Sequence, residues 1–470
     1  MTEQNLSEEK VGIGTMMSYG TGKFVAEFLT GAQGLMAFYF FEKEMKLNSW
    51  LAMLALVIYS VWNAINDPLI GFLTNKWSPN SRKLGRRFPW IITGLVLCSL
   101  SFALIFSVPA SWAGSNQLGL FFWLVGFLCL YDMLYSLWEL NYQAIFPDKF
   151  RSNAVRTRTI EVATPIGVVG MTLGFVLPPM FYDYGVKQSY LLASLVVAGI
   201  AIICTILIIP GVKETPEMIA RFAKKQEDEK AHPEESVPFI KALKASFKNR
   251  NLLALLLCLF LYQSGCMCMT GSVNYVVEGV LGLGSGQTVP IMAGMIVGSL
   301  LGVLLWSQIQ KRLRNNQKLL VLSAVAMGCV AIPMTFLRSS TAFMIAMALW
   351  GLGFGGFWTF MTPAMADVVD ETVLRDKKRN DGIILGLRAF FMRFSYASQA
   401  LVFALCHRLT GYNSASGAVQ TELAKWGITL HMGAIPGIFF LLAALMFWRL
   451  NTLNPEKTAA NSIELKKLDI

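Results

Sequence analysis

Apolar residues fall in twelve long runs along this chain, separated by shorter polar segments. The runs cover 12–41, 50–74, 89–109, 118–146, 159–182, 189–211, 251–279, 290–310, 319–336, 342–369, 382–407 and 428–449. A helix needs about 20 apolar residues to cross a bilayer, and these runs reach or approach that length. Backbone groups in lipid must pair within their own segment, which favours helices. A membrane barrel would instead alternate over segments of about ten residues. The longest runs predict tilt or extension beyond the bilayer. The expected fold class is an all-α membrane protein with twelve transmembrane helices.

Composition agrees. Hydrophobic residues make up 54% and charged residues 15% of the 470, against roughly a quarter charged in soluble domains. The opening MTEQNLSEEK is polar and acidic, and the run after it is too long for a signal core. No cleavable signal is expected. The eight cysteines all fall inside predicted spans and read as small apolar residues, not as a disulfide framework. Cys266 and Cys268 have no His or carboxylate nearby in sequence to make a metal site.

The net charge of +11 raises the possibility of a nucleic-acid partner, but its placement argues against one. The segments 75–88, 147–158, 213–250, 311–318 and 371–381 hold 26 Lys and Arg, and the alternate segments hold six. That asymmetry follows the positive-inside rule. It predicts an inner (plasma) membrane protein with both termini in the cytoplasm.

The charge layout also predicts two halves of six spans each: 1–212 and 251–450, a cytoplasmic linker at 213–250, and a cytoplasmic tail at 451–470 read as polar and disordered. Basic loops follow the second span of each half, RKLGRR at 82–87 and KRLRNNQK at 311–318. Further charged loops follow the fourth, at 147–158 and 370–381. Two six-helix halves with solute bound between them is the major facilitator plan.

Ionisable groups inside spans are costly and mark pathways or sites. The candidates are Lys23, Glu27, Asp67, Asp132, Glu139, Glu161, Arg388 and Arg393. Lys23 and Glu27 share a face, as do Asp132 and Glu139. Asp132 and Glu161 are placed towards the ends of their spans and read as structural. His431 reads as a core or cavity-edge residue, and Trp358, among glycines, as an aromatic able to stack on a sugar. Asp367 and Asp370, with Arg86 and Arg87, suit an inner gate of salt bridges.

The segment WNAINDPLIG at 62–71, followed by GRRFPWI at 85–91, resembles the glycoside–pentoside–hexuronide:cation symporters, the melibiose-permease-like group of the major facilitator superfamily. YGTGK at 19–23, KALKASFKNRNLL at 241–253 and MADVVDETVLRDKKRNDG at 365–382 match in order. The resemblance implies cation-coupled uptake of a sugar, glycoside or sugar acid by alternating access, with sodium or a proton as coupling ion and no other cofactor. By matching positions it implies a cation site at Asn63, Asn66, Asp67 and Ser136. It implies a substrate site at Lys23, Glu139, Trp358 and Arg393, to which Glu27, one turn beyond Phe24, and Gln143 are added as candidates. The chain departs from the pattern at Asn63, where the family has an acid, at Phe24 after the glycine–lysine pair, and at Arg393, often Lys. Losing the acid at Asn63 leaves Asp67 as a possible proton carrier. The alternative is a carrier of lipid or lysolipid with the same fold. No nucleophile–base or metal constellation points to an enzyme. The expected partners are the small solute and membrane lipids, with a monomer as the default.

Overall fold

A computed structural model describes residues 11–76, 84–221, 249–376, 381–414 and 419–468. Most of the 213–250 linker and parts of the basic loops at 82–87 and 370–381 lie outside the described residues. Among those described, twelve helices are long and apolar enough to cross a membrane. The protein is an integral, multi-pass membrane protein.

The chain divides into two compact units, Met1–Glu235 and Ser236–Ile470. The first holds α1 (Ile13–Tyr39), α2 (Ser49–Lys76), α3 (Phe88–Ile105), α4 (Gln117–Lys149), α5 (Asn153–Val176) and α6 (Lys187–Leu207). The second holds α7 (Arg250–Tyr275), α8 (Thr288–Leu313), α9 (Asn316–Met334), α10 (Ser340–Asp376) and α11 (Asp381–Thr410). It continues with α12, which runs from Glu422–Thr429 through a π turn at Leu430–Ala434 into Ile435–Leu450, and ends with α13 (Pro455–Leu468).

Polar side chains set many of the helix starts. Asn116, Ser152, Asn315 and Thr421 accept from the backbone N–H three residues on, and Asn249 accepts from those of Asn251 and Leu252. Each satisfies a donor that the first turn leaves over. In the first unit α1 packs closely along α5, where Gly170 and Gly174 lie against the backbone of Phe24 and Phe28. A Cβ at either glycine would strike that backbone. Without water to drive association, such close backbone approach is a main source of helix adhesion in lipid. It also fixes Lys23 and Glu27 of α1 beside α5.

Three boundaries differ from the sequence reading. The first span does not end at 41: a π turn, Phe40–Glu44, continues it and buries Glu42, Lys43 and Glu44. The Glu44 carboxylate accepts from the Gly185 N–H at 3.0 Å and the Tyr190 hydroxyl at 3.4 Å. The chain can therefore bury those charges, which hydropathy alone could not foresee. The last span begins at Glu422, not 428, because Thr421 caps it there. The 451–470 segment is not a disordered tail: α13 occupies Pro455–Leu468 and packs on α10. Before it, Asn251 in α7 ties the connecting segment down, accepting from the Thr452 N–H at 2.7 Å.

At the other end of the first unit, Glu214 closes the α2–α3 connection. Its carboxylate accepts from the backbone N–H of Arg86 at 2.8 Å and of Arg87 at 2.6 Å, at the start of α3. Gly85 sits at φ +90° directly against the Glu214 side chain, so a larger residue there is both strained and clashing. Each charged hydrogen bond of this kind contributes about 1.5–3 kcal/mol. Glu214→Ala is expected to lower the melting temperature of the purified protein by several degrees, and Glu214→Gln by less. Equal melting curves for all three proteins would show that the clasp carries no stability.

Candidate functional site

The polar centre of the first unit lies between α2 and α4. Asn63, Asn66 and Asp67 face α4 from one and a half turns of α2. Asp132 and Ser136, one turn apart on α4, face them. Asn63 donates its amide N–H to Asp132 Oδ1 in a short contact. Asn66 Nδ2 lies 3.2 Å from Asp132 Oδ2 and 3.1 Å from Ser136 Oγ. The Ser136 hydroxyl in turn donates to Asp67 Oδ1 at 2.5 Å. Asn63 and Asn66 are fully buried, Asp132 is 1% exposed and Ser136 2%. Above the cluster, the Trp62 indole N–H donates to the Cys129 carbonyl at 3.0 Å, holding the two helices in register.

Two facts give this cluster a chemical direction. It brings two carboxylates into one hydrogen-bonded network inside the membrane region, where negative charge is costly without a cation or proton. The Oδ1 atoms of Asn63 and Asn66 are also buried with no hydrogen-bond partner among the described residues. An unsatisfied buried acceptor costs about 1–3 kcal/mol. Carboxylate, amide and hydroxyl oxygens together form the donor set that a small hard cation takes, and rotating an amide exchanges its N–H₂ and oxygen faces. The residues present fit such an ion.

The structure thus brings together all four residues expected at the cation site and adds a fifth. Asp132 does not lie near a span end. It lies fifteen residues into α4, buried against α2. The signal was present in the sequence: Asp132, Ser136 and Glu139 form a stripe with spacings of four and three on one helical face. Spacing alone could not say which neighbour that face meets.

About 10 Å further along this stripe, Glu139 opens onto a second feature. A cavity of about 390 Å³ is lined by Lys23 and Glu27 of α1, Glu139 and Gln143 of α4, and Thr164 of α5, with Tyr19, Tyr142 and Phe146. Gln143 donates to the Glu139 carboxylate in a short contact. Lys23 Nζ lies 3.4 Å from Thr164 Oγ1. Among the described residues Lys23 and Glu27, which share a helix face, do not form an ion pair. Tyr19 and Tyr142 stack at 4.5 Å, and the Tyr142 hydroxyl donates to the Tyr19 carbonyl at 2.8 Å. The four substrate residues expected in the first unit therefore line one cavity. Glu161 is not among its lining residues.

In the second unit the guanidinium of Arg388 on α11 lies over the ring of Trp358 on α10, 5.8 Å from the centroid, and Arg393 lies on the same helix. His431 is fully buried, with Nδ1 2.6 Å from Ser272 Oγ and Nε2 3.2 Å from Nε2 of His407. It is a core residue in a hydrogen-bonded chain, as expected. Of the gating candidates, Arg87 pairs with Asp148 at 3.6 Å and Asp367 accepts from Gln317 at 3.0 Å, each within its own unit. Arg86 contributes its backbone N–H to Glu214, and Asp370 lies on α10 one turn below Asp367.

The sequence profile for MFS/sugar transport proteins matches residues 18–453. The chain belongs to the MFS/sugar transport family. The protein is a transporter and not an enzyme. Within curated proteins, this family member is 20% identical to the sodium-dependent lysophosphatidylcholine symporter 1 of Gallus gallus, over 98% of this chain and 90% of that one. It is 21% identical to the lactose permease of Lactobacillus helveticus, over 87% of this chain and 64% of that one. Among solved structures, the nucleoside transporter NupG superposes with a TM-score of 0.62 at 11% identity, covering 93% of this chain and 99% of NupG. That likeness shows the major facilitator fold.

The α2–α4 geometry predicts a specific rescue. If a cation binds here, Asp132→Asn, which removes one carboxylate of the candidate site, should weaken cation-dependent thermal stabilisation about tenfold or more in half-maximal concentration. Adding Asn63→Asp returns the carboxylate to the neighbouring position and should recover most of the loss. A double variant no better than Asp132→Asn would contradict the shared-site geometry.

Proposed function

We propose that this transporter is a cation-coupled symporter whose coupling ion binds between α2 and α4, held by Asp67, Asp132, Asn63, Asn66 and Ser136. The observation that carries the reading is the pair of buried, unpartnered amide oxygens beside two carboxylates. A carried proton needs only one carboxylate. Five oxygen-bearing side chains in one place suit sodium better. The name of the lysophosphatidylcholine relatives, sodium-dependent, supports the same ion.

The solute occupies the cavity of Lys23, Glu27, Glu139 and Gln143, and it is a sugar, glycoside or sugar acid. The lining supports this: charged and amide groups for hydroxyls, and stacked tyrosines for an apolar sugar face. Because Asp132, Ser136 and Glu139 share one face of α4, an ion that orders the first two also sets the position of the third. Affinity for each ligand then rises when the other is bound, by the same factor in both directions. Transport proceeds by alternating access in the plasma (inner) membrane, with both termini cytoplasmic, in a monomer surrounded by lipid. Arg86, Arg87, Asp367 and Asp370 serve the inner gate.

A second reading is uptake of a lysophospholipid. It is supported by relatives of that name matching nearly the full chain, and by the cavity itself: Lys23 beside Thr164 suits a phosphate, and Glu139 near Tyr19 and Tyr142 suits a quaternary ammonium.

Uptake into proteoliposomes decides between them. With an inward sodium gradient, a labelled methyl glycoside or hexuronate should accumulate, and a proton gradient alone should drive it poorly. Glu139→Gln should reduce accumulation about tenfold or more. Accumulation of lysophosphatidylcholine without any sugar would select the second reading. Uptake of both classes unaffected by sodium and pH gradients would sink the symporter.

A further inference from the structure

One wall of the first-unit cavity is a pair of rings with little freedom to move. Tyr19 of α1 and Tyr142 of α4 are both buried and both border the cavity. Their rings stack at 4.5 Å with 17° between the planes, and the Tyr142 hydroxyl donates to the Tyr19 carbonyl at 2.8 Å. Tyr19 is backed in turn by Phe146 at 5.3 Å and Phe150 at 5.2 Å. The α1 backbone under the pair is held as well. The Ser18 hydroxyl donates to the Leu207 carbonyl at 2.6 Å and accepts from the Gly211 N–H at 2.8 Å, which binds this turn of α1 to the end of α6.

Gly22 lets the pair lie where it does. It is buried on α1, three residues beyond Tyr19. A Cβ there would overlap Cε2 and Cζ of the Tyr142 ring and lie 2.7 Å from Ile208 Cδ1. Glycine is a poorer helix residue than alanine, so what it provides at this place is room. A ring is flat and stiff, and Tyr142 has Tyr19 stacked against it. Ile208 is fully buried and its surroundings are packed. The open space beside Tyr142 is the cavity, so a side chain at position 22 drives the ring into it.

We propose that Gly22 is a positioning residue for solute size: by letting Tyr142 lie flat on α1, it sets how deep the cavity is and how bulky a group can be seated there. It acts through Tyr142 and does not itself line the cavity. The inference rests on the reading that the solute occupies this cavity, and adds to it a size limit that holds whatever the chemical class of the solute.

Thiol labelling of the purified full-length protein tests this without a known solute. Ala26 lines the cavity one turn beyond Gly22. It is changed to Cys in a Cys329→Ser background, which removes an exposed native thiol, and the same protein with Ala26 retained is the blank. The rate of modification is compared for ethyl and benzyl methanethiosulfonate. Gly22→Ala should slow the benzyl reagent about tenfold and leave the ethyl reagent within about twofold. Tyr142→Leu, a smaller side chain, should speed the benzyl reagent when made alone and restore its rate when combined with Gly22→Ala. A substitution that only loosens the fold would speed both reagents together and lower the melting temperature. The proposal is overturned if Gly22→Ala changes both rates alike or neither, or if Tyr142→Leu restores nothing. It is also overturned if neither reagent reaches Ala26→Cys, because the cavity is then closed to small molecules. Sodium-driven uptake judges the symporter reading separately: its failure would leave the measured depth of the cavity intact.

Discussion

A carboxylate buried in a membrane helix must find its partners in the protein, because lipid offers none. Asp132 meets this demand with two asparagine amides from α2, and those amides draw Ser136 and Asp67 into the same network. The α2–α4 pairing is therefore specified by polar chemistry in a protein otherwise held by apolar and small-residue packing. The network leaves two amide oxygens unsatisfied, so in the proposed function it is a scaffold that an arriving ion completes. That combination is what an ion-coupled carrier needs. The site must exist before the ion arrives and must gain from its arrival.

The second consequence is spatial. One face of α4 carries Asp132, Ser136 and Glu139 in succession, so the ion cluster and the polar cavity are two parts of one helix surface. Close packing of α1 on α5 at Gly170 and Gly174 then brings Lys23 and Glu27 to the far wall of that cavity. In the proposed symporter, coupling requires no long pathway. A change in how α4 is held by α2 is felt about 10 Å away, at Glu139.

Much of this was legible in the sequence, for identifiable reasons. Hydropathy locates helices in lipid because every span must be long and apolar, and all twelve predicted runs correspond to helices. It fails at the ends, where side chains decide. Glu42, Lys43 and Glu44 look like a loop until Gly185 and Tyr190 are seen to satisfy Glu44. The last helix, α13, is too polar for a hydropathy signal. The α2 residues of the ion cluster were visible as a motif. Asp132 was visible only as an acid on a helical face, since which neighbour a face meets is set by tertiary packing. The same limit applied to Trp358, whose contact with Arg388 no sequence spacing shows.

The central claim is that Asp67 and Asp132 together bind the coupling ion. Equilibrium binding of radioactive sodium to the purified protein tests it most directly. The account predicts saturable binding of one ion per chain, competed by acid, and lost in the Asp67→Asn/Asp132→Asn double variant while the protein remains monodisperse. Saturable binding that survives the double variant would contradict it, as would the absence of any sodium binding to the unaltered chain.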